Sequence, residues 1–152
     1  MQFRPYEADS GIFYVGGDDD EVFPRLLDAA RKAVALGYRV YILPNPHGIR
    51  TADFIFERKG VYRMYDLKTV YGKNSVDSQL LDSIDQANRI LLNMTSEYNP
   101  RLLAKCIRHY FEYNPDAVEV LIMKGRRTIS VIREDTTGQS YIRNFMMKYK
   151  QK

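Results

Sequence analysis

The sequence is short of the residues that soft-metal and thiol chemistry requires. Cys106 is its single cysteine, so a disulfide within the chain is impossible and a zinc–thiolate cluster is excluded. Its neighbours at helical spacing, Leu103, Ile107 and Tyr110, predict a packed thiol rather than a reactive one. Histidine occurs twice. His47 falls in the breaker-rich loop Pro44-Asn-Pro-His-Gly48 and is read as exposed. His109 has no acidic or hydroxyl partner within local reach and is assigned no catalytic role. No stretch approaches the roughly 18 apolar residues of a membrane span, so no membrane partner is expected. The opening Met1-Gln-Phe-Arg-Pro5 lacks an apolar secretion segment. A reducing cytoplasm is therefore the expected location. Also absent are a Gly-x-Ser-x-Gly elbow, a P-loop, a dinucleotide glycine motif and a Cys/His nucleophile pair.

What is present fits one ordinary domain. A chain of 152 residues is long enough for a sizeable core, and 45% hydrophobic with 28% charged residues is usual for a globular protein. The formal net charge of +4 permits a phosphate-bearing partner without demanding one. No internal repeat or low-complexity segment divides the sequence.

Periodicity gives the order of elements. Ile12-Phe-Tyr-Val15 reads as a short strand, and one of Asp18-Asp-Asp20 is expected to cap the helix that follows. From Glu21 to about Leu36, Phe23, Leu26, Leu27, Ala30 and Val34 recur at the helical period. Gly37 ends that helix and Tyr38–Leu43 reads as a strand. A polar turn over 69–74 leads to a helix capped by Ser75 and running to about Asn88, with Val76, Leu80, Leu81, Ile84 and Ala87 inward. Gln79, Asp82 and Gln86 fall on its flank. Arg89–Met94 reads as an interior strand. Asn99-Pro100 starts a helix that buries Leu102, Leu103, Cys106, Ile107 and Tyr110. A hairpin of 117–123 and 127–133 follows, then a loop over 135–138 and a basic helical tail at about 140–152. The expected architecture is a mixed α/β domain spanning 1–152, with its core at about 21–133 and a C-terminal hairpin.

One stretch, Thr51 to Thr69, organises the rest. It reads as two strands joined at Lys59-Gly60, because alternating apolar residues flank a glycine able to take positive φ. With a two-residue loop, Arg58 faces Val61 and the register brings Asp53 opposite Asp66, with Lys68 two residues on. Two opposed carboxylates repel, and a lysine with a divalent cation held by hard oxygen ligands would compensate them. Asp53, Asp66 and Lys68 are therefore candidate catalytic residues for phosphodiester hydrolysis, with Asp53 and Asp66 as ligands for Mg²⁺ or Mn²⁺. On this reading Asp66 is an exposed carboxylate. The competing reading is a merely solvated hairpin face.

Asp53 followed thirteen residues later by Asp66-Leu-Lys68 resembles the PD-(D/E)XK nuclease pattern. The segments Gly37–Pro44, Thr51-Ala-Asp-Phe54, Tyr65-Asp-Leu-Lys-Thr69 and Asp85-Gln-Ala-Asn88 resemble the C-terminal tRNA-nuclease domains of CdiA-type contact-dependent inhibition toxins. Related domains occur in mobile-element proteins. The similarity covers residues 21–133. It implies a mixed sheet of restriction-endonuclease-like type with flanking helices. It also implies a toxin-like ribonuclease acting on tRNA or other RNA, with a cognate immunity protein as a partner. Asp53, Asp66 and Lys68 match the catalytic positions. Glu21, the first-helix acid, matches a residue that can join the metal site, and Gln86 matches a frequent helix glutamine. The sequence departs from the pattern at Ala52, where proline is usual, and at Asp66, where glutamate is usual. The alternatives are a non-catalytic module that grips nucleic acid or a partner through Arg101, Arg108 and Lys148, and an immunity or assembly protein of a mobile element.

Overall fold

The computed structural model describes residues 2–6, 10–15, 23–44, 52–72, 76–84 and 87–151. In chain order these form β1 (Arg4–Pro5), β2 (Ile12–Tyr14), α1 (Phe23–Ala35), β3 (Arg39–Ile42), β4 (Phe54–Arg58) and β5 (Val61–Val70). There follow α2 (Val76–Asp82), β6 (Arg89–Met94), α3 (Pro100–Tyr113), β7 (Glu119–Lys124), β8 (Arg127–Ile132), α4 (Arg133–Thr137) and α5 (Tyr141–Lys150). The eight strands form one mixed sheet in sequence order. Neighbours β2/β3, β5/β6 and β6/β7 run parallel, and each such pair is linked through a helix. The remaining neighbours are antiparallel.

The β4–β5 hairpin forms as its residues dictate. Lys59 (φ 54°) and Gly60 (φ 80°) both take positive φ, the conformation a two-residue loop needs to match strand twist. Arg58 pairs with Val61 and the ladder runs to Phe54 opposite Tyr65. Here β5 changes partner: its residues 61–65 pair with β4, and 66–70 pair with β6.

Helices cover the two faces of the sheet. Helix α1 lays Leu26, Ala30 and Ala33 on Val40, Ile42, Phe54, Phe56 and Tyr65. On the opposite face, α2, α3 and α5 pack over Val70, Ile90, Leu92, Val120 and Ile122. Strands β6 and β7 are thus covered on both sides, which explains their nearly unbroken apolar runs. Among the described residues no helix is long and apolar enough to cross a membrane.

Several expectations are corrected. Thr69 and Val70 belong to β5 rather than to a turn, because Val70 pairs with Met94. Helix α2 stops at Asp82, short of Asn88. The Ser83 hydroxyl and N–H both turn back to the Leu80 carbonyl and close the last turn. Residues 133–137 are helical, since the Asp135 carboxylate accepts from the Ile132 N–H and Thr136 Oγ donates to Arg133 O. Lys124 remains in β7, so the second hairpin loop is Gly125-Arg126. Leu102, expected inside, is exposed. The expected caps at Asp18–Asp20 and Ser75, and His47, lie outside the described residues.

Glu119 is a carboxylate in the middle of this apolar assembly, 2% exposed. It accepts hydrogen bonds from Tyr65 Oη at 2.6 Å and Arg89 at 3.1 Å, with Ser130 Oγ donating to its second oxygen. The group joins β5, β6, β7 and β8. A buried charge that loses its partners is costly, and so is a donor set that loses its acceptor. Glu119→Ala should lower unfolding free energy by about 3 kcal/mol in urea titrations, and Glu119→Gln by about half that.

Candidate active site

Asp53 sits directly ahead of β4, and its backbone is held on both sides. Its carbonyl accepts from the Leu43 N–H and its own N–H donates to Tyr65 O, each at 2.9 Å. The backbone ladder between β4 and β5 ends there, which leaves the next N–H on that edge of β5, that of Leu67, without a main-chain acceptor on β4. Asp53 Oδ2 accepts it at 2.7 Å. A side chain thus continues the ladder where the backbone stops, and the carboxylate is locked against β5.

Asp66 follows Tyr65 on β5, and its carboxyl is hydrogen-bonded to that of Asp53. Lys68, two residues on and therefore on the same face, brings Nζ to 3.5 Å from Asp66 Oδ2. The three side chains expected to meet are brought together. The expectation of an exposed Asp66 is overturned: it is 4% exposed, because α2 and α3 close over this half of the sheet. Burial, then the hydrogen bond and the negative charge of Asp53, push the Asp66 pKa up to about 8, with the Lys68 ammonium opposing. At neutral pH Asp66 therefore keeps its proton.

Such a pair is suited to a hard divalent cation. Two carboxylates converge with one oxygen fixed by a backbone N–H, and a small cation of this kind commonly takes one or two carboxylates with the rest of its shell from water and substrate phosphate. Among the described residues no third His, Cys, Asp or Glu completes a cluster with them. Glu21 and Gln86 lie outside the described residues. The glutamine that reaches this strand within them is Gln79 of α2, whose Nε2 donates to Thr69 O at 3.1 Å while its buried Oε1 has no hydrogen-bond partner. Its place beside the Val76–Leu80 stripe was the available signal.

His109 has an acidic partner after all. Its Nδ1 lies 3.1 Å from Asp77 Oδ1, and this contact between α3 and α2 spans 32 residues of sequence. Local spacing along α3 could not reveal it. Cys106 is buried, and burial raises its thiol pKa, in keeping with a packed rather than a reactive group.

No family model and no curated protein matches the sequence. Among solved structures the chain is similar to the CdiA-CT/CdiI toxin and immunity complex from Burkholderia pseudomallei. The match has 16% identity and a TM-score of 0.45 and covers 78% of this chain and 92% of that one.

The raised Asp66 pKa sets the sign of a pH effect. Between about pH 4 and pH 8 the folded protein keeps a proton that the unfolded chain has released. Stability should therefore fall as pH rises through that window and level off above it. Asp66→Asn should flatten the fall and raise Tm at pH 8, as thermal melts from pH 5 to 9 would record. The expected difference is on the order of 2 kcal/mol. Adding Mn²⁺ at pH 8 should raise Tm of the parent protein and leave Asp66→Asn unmoved.

Proposed function

We propose that this protein is a nuclease that hydrolyses RNA, tRNA foremost, with the help of a divalent cation at Asp53 and Asp66. The observation that carries the reading is the contact between these two carboxyls with Lys68 at 3.5 Å. Acids forced together and partly desolvated favour binding of a cation over remaining as an ionised pair. When bound, Mg²⁺ or Mn²⁺ supplies the Lewis acidity that phosphodiester hydrolysis needs. The chain's own groups do the rest. Asp53 is held in place by the Leu67 N–H and cannot swing away as charge changes around it. Lys68 presents an ammonium beside the acids, where it orients water or neutralises the negative charge that grows on the phosphate in the transition state. Water adds at phosphorus as the bond to the leaving oxygen breaks, and a proton passes to that oxygen.

The choice of RNA, and of tRNA within it, follows the resemblance of the segments around Asp53 and Asp66 to toxin nuclease domains. The sheet order, in which a helix precedes a three-stranded meander and a second helix leads to a parallel strand, is what a restriction-endonuclease-like reading requires. A cognate immunity protein belongs to the same proposal.

Purified protein with Mg²⁺ or Mn²⁺ should cut a tRNA transcript, with products visible on denaturing gels. Asp66→Ala should reduce cutting below detection, and Lys68→Ala should reduce kcat by about 10²-fold or more with little change in far-UV circular dichroism. A parent protein that leaves tRNA, other RNA and DNA intact under these conditions overturns the reading. Because proton and cation compete for Asp66, apparent Mg²⁺ affinity should increase with pH up to about 8 and then level off, which calorimetry measures directly.

A further inference from the structure

A second feature lies at the carboxyl ends of the parallel strands β5, β6 and β7. There the sheet opens into a cleft of about 1240 Å³, floored by Met94 and Thr95 and walled by α1, the β7–β8 turn and the end of α5. Ligands of open α/β sheets commonly sit at this end of the strands. Five cations line it, Lys32, Lys124, Arg126, Arg127 and Lys150, against the two acids Asp28 and Glu97. The cleft is larger than the usual 300–1,000 Å³ of a small-molecule pocket, and its cations are spread over three walls rather than converged on one point.

The walls are built to hold positive charge. Asn93 is fully buried at the end of β6, and its side chain accepts from Lys32 Nζ at 2.8 Å while donating to Asp28 at 3.0 Å. That fixes Lys32 at the rim. The end of α5 is a helix C-terminus, whose partial negative charge would repel an anion. Lys124 and Arg127 neutralise it by donating to the carbonyls of Lys148, Tyr149 and Gln151. Arg126 and Lys150 stand beside them, exposed. Tyr149 also lines the cleft, 1% exposed, and its buried hydroxyl has no hydrogen-bond partner. Burial, then the Glu97 carboxylate, raise its pKa, so it remains a protonated donor.

We propose that this cleft binds the phosphate backbone of the RNA substrate as the strand leaves the Asp53–Asp66–Lys68 site. The inference rests on the nuclease reading for the identity of the polyanion. Thr95, on the cleft floor, is tied to the strand that carries that site: it donates from both its N–H and its hydroxyl to the carbonyl of Val70, the last residue of β5. Val70 is two residues from Lys68, about 7 Å along the strand. A phosphate chain that continues past the end of β5 would enter the cleft that Thr95, Arg126 and Lys150 line. Diffuse lining by cations on three elements suits a repeating phosphate better than a single anionic group.

The test measures binding without cleavage: fluorescence anisotropy of a labelled tRNA transcript, in EDTA, from 50 to 300 mM KCl. Arg126→Ala/Lys150→Ala should weaken binding at least tenfold and lower the salt slope by about two, roughly one for each phosphate no longer neutralised. The control Arg25→Ala/Arg63→Ala removes the same charge from exposed positions elsewhere and should change affinity less than twofold. Tyr149→Phe should leave Tm unchanged or higher, because no internal hydrogen bond is removed. Equal affinity for the parent and the Arg126/Lys150 variant, an equal loss in the control, or no binding by the parent at 50 mM KCl each overturn the cleft. Tighter binding of DNA of the same length overturns the assignment of RNA. If the parent cuts tRNA but the Arg126/Lys150 variant binds it undiminished, the cleft fails and the nuclease stands. If the variant loses binding and the parent never cuts with Mg²⁺ or Mn²⁺, the nuclease fails and the cleft stands.

Discussion

Strand β5 serves two ladders in succession, and the change of partner at Tyr65–Asp66 is the constraint on which the candidate site depends. An antiparallel ladder with β4 closes just where a parallel ladder with β6 opens. The Leu67 N–H at that junction needs an acceptor, since a backbone donor left unpaired in a partly buried position is costly. Asp53 supplies it through its side chain. The carboxylate is thereby pinned beside Asp66, and the proximity of two acids becomes a consequence of finishing the sheet.

Burial then converts proximity into chemistry. With α2 and α3 closing over that half of the face, Asp66 loses water and gains a second carboxyl as neighbour. Lys68 offsets part of this but not all of it. Asp66 therefore holds a proton at a pH where a carboxyl on an open hairpin would have lost it. On the other face, Tyr65, Arg89 and Ser130 fully engage Glu119, a buried carboxylate of opposite disposition. One acid is supplied with donors and holds strands together, whereas the other faces a second acid.

Much of the hairpin was legible because its determinants are local. Lys59-Gly60 selects the turn, the turn sets the register, and alternation assigns Asp53, Asp66 and Lys68 to one face. The helices α1 and α3 were equally legible from their apolar period, although Leu102 falls outside the buried stripe. The end of α2 was not, because Val76 to Ala87 continues an apolar pattern that the Ser83 back-bond interrupts. Glu119 could have been marked as an acid set inside an unbroken apolar strand, yet its partners on β5, β6 and β8 could not have been named.

By itself the sequence determined the order of elements, the tight turn and the identity of the residues that share a hairpin face, since each follows from neighbours a few positions apart. Tertiary structure alone decided that Asp66 is enclosed, that His109 meets Asp77 and that cations from α1, the β7–β8 turn and α5 line one cleft. The physical reason is the same in each case. Desolvation and charge clustering depend on which distant segments pack together, and a linear pattern records only the face a residue presents, not what comes to cover it.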